Sequence, residues 1–244
     1  MADFINTIEI LGDDNVVDSI INRTITEFKD NNVKILGNNA FNGCAALEIV
    51  DLPEFESNNV QVERIFANCS SLKTVNLPKL KYVYTAAFEG CTSLTSIYLP
   101  EADTRYGGGR DDSMSAFSGC KALYKAVLPK VSLISNYFFY GCTSLAIVDL
   151  TSCNHIGGYW AWMGVAALKA LVLRNTEIVA TLSESHTFKD GHIGKGTGYI
   201  YVPKALIDAY KVATNWSTYA AQFRALEDYT VDGTITGDLD ETKI

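Results

Sequence analysis

The chain predicts an α/β repeat solenoid: coils with short parallel strands, stacked in a row, with helical caps at the N-terminal and C-terminal ends. Three observations carry this reading. A pattern of Phe, Cys, Leu, a branched or small residue, Leu and Pro returns at constant internal spacing from residue 41 to residue 151. The intervals between units vary while the units do not, since successive pattern cysteines lie 25, 22, 29 and 22 residues apart. Before and after the array the periodicity changes to helical spacing, so the ends are built differently from the middle.

Residues 1–40 lack the full pattern. Residues 12–23, GDDNVVDSIINR, predict a short helix, with Asp13 or Asp14 at its N-terminus and Val16, Val17, Ile20 and Ile21 on one face. Thr24 to Phe28 alternates as a strand does. An open-ended stack must hide its first apolar layer from water, and this segment is expected to do so as an N-terminal cap.

The units then read Phe41, Cys44, Leu47, Val50, Leu52, Pro53; Phe66, Cys69, Leu72, Val75, Leu77, Pro78; and Phe88, Cys91, Leu94, Ile97, Leu99, Pro100. Next come Phe117, Cys120, Leu123, Ala126, Leu128, Pro129, and then Phe139, Cys142, Leu145, Val148, Leu150, with Thr151 in place of proline. A degenerate sixth copy holds Trp162, Val165, Leu168, Leu171 and Leu173. In AFEGCTSLTSIYLP, residues 87–100, Ile97 and Leu99 stand two apart and share the inner face of a strand, with Ser96 and Tyr98 facing outward. Pro100 ends the strand because it has no N–H for a ladder. The Ala-Phe-x-Gly-Cys half predicts a turn that points its Phe and Cys inward. A period of roughly 20 to 29 residues is that of leucine-rich-repeat coils.

The motif AF-x-x-C-x-x-L-x-x-I-x-L-P resembles the signature of the BspA-like, or Treponema pallidum type, leucine-rich repeat family, over about residues 33–203. The segment YVPKALIDAYKVATNWSTYAAQF is similar to the element that closes many members. The resemblance implies a bacterial surface or secreted protein concerned with adhesion and with binding proteins.

Five of the six cysteines occupy one register of successive coils, and Cys153 lies just beyond a strand. Cysteine packs as a small hydrophobe, so a reduced, buried ladder is expected rather than disulfides or a metal site; there is no C-x-x-C pair.

What is individual to the chain lies in two insertions, near residues 103–115 and 181–198, and in an aromatic stretch. DTRYGGGRDDSMS is a polar, glycine-rich loop in which Arg105, Tyr106 and Arg110 are candidate partner contacts. In NHIGGYWAW the alignment puts Trp162 inside, leaving Tyr159 and Trp160 as candidate anchors for a protein or sugar. The stretch TLSESHTFKDGHIGKGTG brings His186 and His192 near Glu184 and Asp190, but without helical pairing or a third ligand of clear spacing for zinc. Its GHIGKGTG echoes a nucleotide loop, yet Gly196 follows Lys195 and a strand comes next, so an enlarged loop leading to a last strand at Tyr199 to Val202 is expected.

After Pro203, Leu206, Tyr210 and Ala213, then Trp216, Tyr219, Phe223 and Leu226, recur at helical spacing, with Ser217 a candidate N-cap. These residues predict C-terminal capping helices over 204–227. Residues 228–244 read as an acidic tail or a small hairpin. The expected organisation is therefore an N-terminal cap (1–40), a solenoid (41–203), capping helices (204–227) and that tail.

Composition bounds the function. The formal charge is −8 and the pI about 4.9, which argues against a nucleic-acid partner. No stretch is apolar enough for membrane insertion. No G-x-S-x-G, no H-E-x-x-H and no Cys beside an activating His are present, so no catalytic residue and no cofactor are expected and the chain is not read as an enzyme. The expected partners are proteins, with glycans second. The opening residues do not read as a signal peptide, which leaves two locations: cell surface or secreted, as the resemblance implies, or cytoplasmic or virion-associated, as a structural component of an assembly such as a phage-like particle.

Overall fold

The computed structural model describes residues 16–17, 24–56, 62–104, 115–231 and 234–235. Each coil contributes to three stacked sides. The first is a row of parallel strands formed by the Leu-x-x-Ile-x-Leu segments. Glu27–Lys29, Ile49–Asp51 and Thr74–Asn76 make one sheet; Ser96–Tyr98, Lys125–Val127, Ile147–Leu150, Ala170–Leu173, Tyr199–Val202 and Phe223–Ala225 make another. Register follows the repeat alignment, with Ile97 opposite Ala126 and Val148 opposite both Ala126 and Leu171. Alternation puts Val50, Ile97, Ala126, Val148 and Leu171 inside, all buried.

The second side is a row of two-residue strands after the corner that ends each first-side strand: Ile35–Leu36, Tyr82–Val83 with Asp103–Thr104, and Leu133–Ile134 with His155–Ile156 and Thr181–Leu182. The third side is the Ala-Phe-x-Gly-Cys turn. Here Phe N–H groups donate to the next coil, as in Phe66 to the Ala87 carbonyl (2.9 Å) and Phe139 to Ala161 (3.0 Å). Two residues on, a second bond runs beside the first, from Gly119 to Tyr140 (2.7 Å) and from Gly141 to Met163 (2.8 Å). Gly141 holds φ +70°, and Gly164 of the next coil would bring an added Cβ within 3.4 Å of Gly141 Cα, so glycine serves both the turn and the close stacking.

Inside the turn side runs a column of rings. Phe28 meets Phe41 (4.8 Å between centroids), followed by Phe66 (5.3 Å), Phe88 (5.4 Å), Phe117 (5.4 Å), Phe139 (5.7 Å) and Trp162 (5.3 Å). Phe188 continues the column at 5.1 Å from Trp162, and Tyr219 follows it at 5.4 Å. Residues 181–198 are thus more than an enlarged loop. They supply a paired strand at Thr181–Leu182, a stacked ring and a buried Ile193. The sequence concealed this because Gly191 stands at the cysteine position and three extra residues precede the strand. A Cβ on Gly191 would lie 2.9 Å from the Val165 carbonyl oxygen, so this coil packs too closely for cysteine.

The Trp162 indole Nε1–H is buried without an acceptor among the described residues. Earlier coils carry Phe there, so Trp162→Phe trades lost ring area for removal of an orphan donor that costs about 1–3 kcal/mol. Denaturant titration should place the variant within about 1 kcal/mol of the parent; a loss several times larger would mean the donor is satisfied.

All six cysteines are buried free thiols. Cys69, Cys91, Cys120 and Cys142 each donate to the carbonyl of the Phe one coil earlier, at 3.1, 3.1, 3.1 and 3.0 Å. Burial pushes the Cys69 and Cys153 thiols from 9.0 up to about 12, and raises those of Cys91 and Cys142 as well. The folded chain therefore keeps protons that the unfolded chain releases. This contribution to stability is full below about pH 9 and is lost as pH rises toward 12. Urea midpoints should fall between pH 8 and pH 10, and a thiol reagent at neutral pH should label the protein only after denaturant is added. Prompt labelling of all six in the native state would contradict the buried ladder.

The two ends depart from expectation. Val16–Val17 is a strand paired in parallel with Ile35–Leu36, not part of a helix; β-branched valines suit a ladder, and the second side offers an open edge there. The rest of the expected 12–23 helix falls outside the described residues; the strand expected at Thr24 to Phe28 is Glu27–Lys29. At the other end, a 3₁₀ turn at Lys204–Leu206 leads into an α-helix at Ile207–Val212. Trp216–Gln222 is 3₁₀ and Phe223–Ala225 is a strand, where the spacing predicts a second capping helix. The edge of Tyr199–Val202 would otherwise leave backbone groups unpaired, and Phe223–Ala225 takes them up. Asn215, with φ +65°, rather than Ser217, precedes the 3₁₀ segment. Thr230–Val231 and Thr234–Ile235 pair as a short antiparallel hairpin.

Side chains complete this end. Trp216 Nε1 donates to the Ala180 carbonyl (2.6 Å), Asn215 Nδ2 to Leu182 (2.7 Å), and the Tyr210 and Tyr219 hydroxyls accept from Ala180 and Phe188 N–H (3.0 and 3.1 Å). They occupy backbone groups that a further coil would use. Tyr229 packs on Tyr201 (4.8 Å) and, with Ala170 and Val172, forms a small apolar cluster on the outer face of the long sheet.

Candidate functional site

Counting from the column ring, two positions of each coil fall on the turn side and project outward except where alanine fills them, since Ala67 and Ala86 are buried. Two residues before the ring stand Asn39, Arg64, Ala86, Ser115, Tyr137, Trp160 and His186. One residue after it stand Asn42, Ala67, Glu89, Ser118, Tyr140, Met163 and Lys189. The ridge is thus polar or small in the early coils and aromatic in the later ones. The early part is cross-linked within itself: Arg64 meets Glu89 (3.3 Å) and Asn68 meets Asn42 (3.2 Å).

The late part brings Tyr159 and Trp160 together with Tyr137, Tyr140, His186 and Lys189. Trp160 is 47% exposed and Tyr137 36%, and their rings lie 5.7 Å apart with a 35° tilt. Tyr140 backs Tyr137 at 5.7 Å, and Tyr159 flanks Trp160 at 6.0 Å. The backbone beneath is fixed. Tyr137 holds φ +62°, its carbonyl accepts from Tyr140 (3.2 Å), and Phe139 and Gly141 bond to the following coil.

Tyr159 and Trp160 differ in what they do. The Tyr159 N–H donates to Glu184 Oε2 (2.9 Å), its hydroxyl to Asp190 Oδ2 (3.1 Å), and Lys189 Nζ stands 3.9 Å above its ring. Gly158 allows this, because a Cβ there would lie 2.6 Å from Glu184 Cδ. Asp190 Oδ2 also accepts from Gly164 N–H (3.2 Å), and His186 Nε2 stands 3.2 Å from Glu184 Oε2. Tyr159 therefore ties two coils together, whereas Trp160 and Tyr137 present ring area to solvent. Tyr137 and Tyr140 escape notice along the chain, since they lie one unit before Tyr159 and Trp160, and His186 reads there only as a neighbour of Glu184; aligning the units by the ring column groups them.

Arg105, Tyr106 and Arg110 lie outside the described residues. His192 Nδ1 pairs with Thr197 Oγ1 (2.9 Å), away from Glu184. Among the described residues no three His, Cys, Asp or Glu side chains converge as metal ligands. In GHIGKGTG, a Cβ on Gly194 would lie 2.3 Å from the Phe188 carbonyl oxygen, so the glycines serve close packing of the chain on itself. No helix among the described residues is long and apolar enough to cross a membrane.

The family profile described as BspA type leucine rich repeat region matches residues 18–109 and 113–193, in 6 copies. The chain belongs to this family. No curated protein sequence matches it. Among solved structures, this BspA-type chain is similar to a leucine-rich repeat protein from Bacteroides ovatus, at 21% identity and TM-score 0.46, covering 78% of this chain and 53% of that one. It is also similar to a leucine rich cell surface protein from Faecalibacterium prausnitzii, at 20% identity and TM-score 0.43, covering 63% and 49% respectively. The pneumococcal vaccine antigen PcpA is similar at 13% identity and TM-score 0.49, covering 88% of this chain and 44% of that one. The chain spans about half the length of these proteins.

Proposed function

We propose that this leucine-rich repeat chain is a non-enzymatic recognition module of a bacterial surface or secreted protein, and that it engages a protein partner through the aromatic ridge of its later coils. In this reading the stack is an open-ended solenoid with an irregular cap at each end, and adhesion is the consequence of binding. The observation that carries it is the exposed Tyr137–Trp160 pair on a backbone held by two inter-coil ladders, while the repeat's own rings are all inside. Large rings held rigidly lose little entropy on contact, which is why Trp and Tyr dominate binding hot spots. The acidic balance, −8, suits a neutral or basic protein and disfavours nucleic acid. The loop residues Arg105, Tyr106 and Arg110 are proposed as a secondary contact.

The test is capture from host and bacterial surface-protein extracts, followed by affinity measurement with each identified partner. Tyr137→Ala with Trp160→Ala should weaken binding at least about tenfold, as loss of one hot-spot side chain commonly does, with an unchanged melting curve. If every partner binds the double variant as well as the parent, the ridge is not the binding surface.

A further inference from the structure

Resting on that reading of the ridge, we infer that the Tyr137–Trp160 shelf takes a cationic side chain, the guanidinium or ammonium of an arginine or lysine in a basic segment of the partner polypeptide. Four features point the same way. First, an indole face and a phenol face stand exposed and adjacent, 5.7 Å apart, and their quadrupoles attract a cation placed over them. Secondly, the ridge already contains such a contact, since Lys189 Nζ lies 3.9 Å above Tyr159. Among the described residues, cations stand over Tyr159 and Tyr199 but not over Tyr137 or Trp160. Thirdly, the coil that follows Trp160 places two carboxylates, Glu184 and Asp190, against its neighbour Tyr159, and the whole chain carries −8. Two carboxylates against the one ammonium of Lys189 leave the neighbourhood net negative, so a positive group approaching the shelf meets an attractive field.

Fourthly, the carboxylates are used in a way that suits a charge better than a sugar. Recognition of a sugar over an aromatic ring needs hydrogen-bonding groups beside that ring to take the hydroxyls. Here Glu184 Oε2 receives the Tyr159 N–H and faces His186, and Asp190 Oδ2 receives the Tyr159 hydroxyl and the Gly164 N–H. These bonds commit one oxygen of each carboxylate inward while leaving its negative charge in place. A cation needs the charge and the ring faces, and no fixed pattern of hydroxyl partners.

Trp160 provides its own probe, because Trp162 and Trp216 are buried. The full chain, labelled with ¹⁵N and with the indole signal assigned through Trp160→Phe, is titrated with an arginine–glycine peptide, the same peptide with lysine, and the same peptide with neutral citrulline. A panel of neutral oligosaccharides completes the set. The arginine and lysine peptides should shift the Trp160 indole signal, with binding weakened about tenfold by Trp160→Ala and further by a tenfold rise in salt. Equal binding of the citrulline peptide would overturn the cation while leaving a protein-binding ridge intact. A shift produced by oligosaccharides alone would replace the occupant with a glycan. Silence with every probe would also overturn the inference, and the ridge itself would then stand or fall on capture by the Tyr137/Trp160 double variant.

Discussion

Phe117→Ala is expected to destabilise the chain by about 3–5 kcal/mol, the range for deleting a fully buried ring. Phe117 has no exposed surface and stacks between Phe88 at 5.4 Å and Phe139 at 5.7 Å, with Phe138 edge-on at 5.5 Å. The coils above and below are locked by hydrogen bonds on all three sides, so the gap cannot close by moving one element. For a domain of this size such a loss lowers the melting temperature by roughly 6 to 20 °C. Because each coil contacts only its neighbours, damage at the middle of the column should also weaken coupling between the two halves. Calorimetry and urea unfolding followed by two probes would show a lower, broader transition. A sharp transition within 1 kcal/mol of the parent would mean that the column contributes little to cohesion.

The second large effect is expected on the outer face of the long sheet. Asp149 is 2% exposed, and Arg174, one coil later, reaches back to it with Nε–Oδ1 at 2.8 Å and Nη2–Oδ2 at 2.9 Å. Burial works against the Arg174 charge, but the Asp149 carboxylate outweighs it and the guanidinium pKa is raised. Arg174→Met leaves a buried carboxylate without its partner and should cost about 3–5 kcal/mol. Replacing both, Asp149→Val with Arg174→Met, removes the charge with its partner and should recover most of that loss. The double-mutant cycle measures the coupling directly. If the single and double variants are equally unstable, the apolar stems and not the ion pair hold this face.

Neither residue of this pair announces itself in the repeat. Asp149 occupies the outward strand position that Tyr98 holds in an earlier coil, where a charge would be expected in water. The C-terminal segment alters that surface: Tyr229 and Leu226 pack near Tyr201, Ala170 and Val172 and turn an exposed face into a partly buried one. A period-2 pattern states which face of a strand is inner, and says nothing of what a distant segment lays over the outer one.

The fold itself was legible because it rests on local, repeated chemistry. Phe, Cys, Leu and Pro at constant spacing specify the turn, the buried ladder and the end of each strand, and identical units can pair only in register. The aromatic site was half legible. Tyr159 and Trp160 stood out as a cluster along the chain, yet the structure gives them opposite roles, since Tyr159 is bound by Glu184, Asp190 and Lys189 while Trp160 is left open beside Tyr137. The coil at 181–198 was hidden by insertion and because its ring, Phe188, is followed by Gly191 in place of the cysteine of the five regular units.

By itself, then, the sequence determined the parallel stack, the inward ring and thiol columns and the family, all of which depend on spacing within one unit. Only the tertiary structure decided the ends, where the open edge of Tyr199–Val202 recruits Phe223–Ala225 against its helical periodicity. It also decided which aromatics face water, because that depends on neighbours contributed by other coils. Spacing along one turn is a local property, whereas exposure is set by whatever the stack brings alongside.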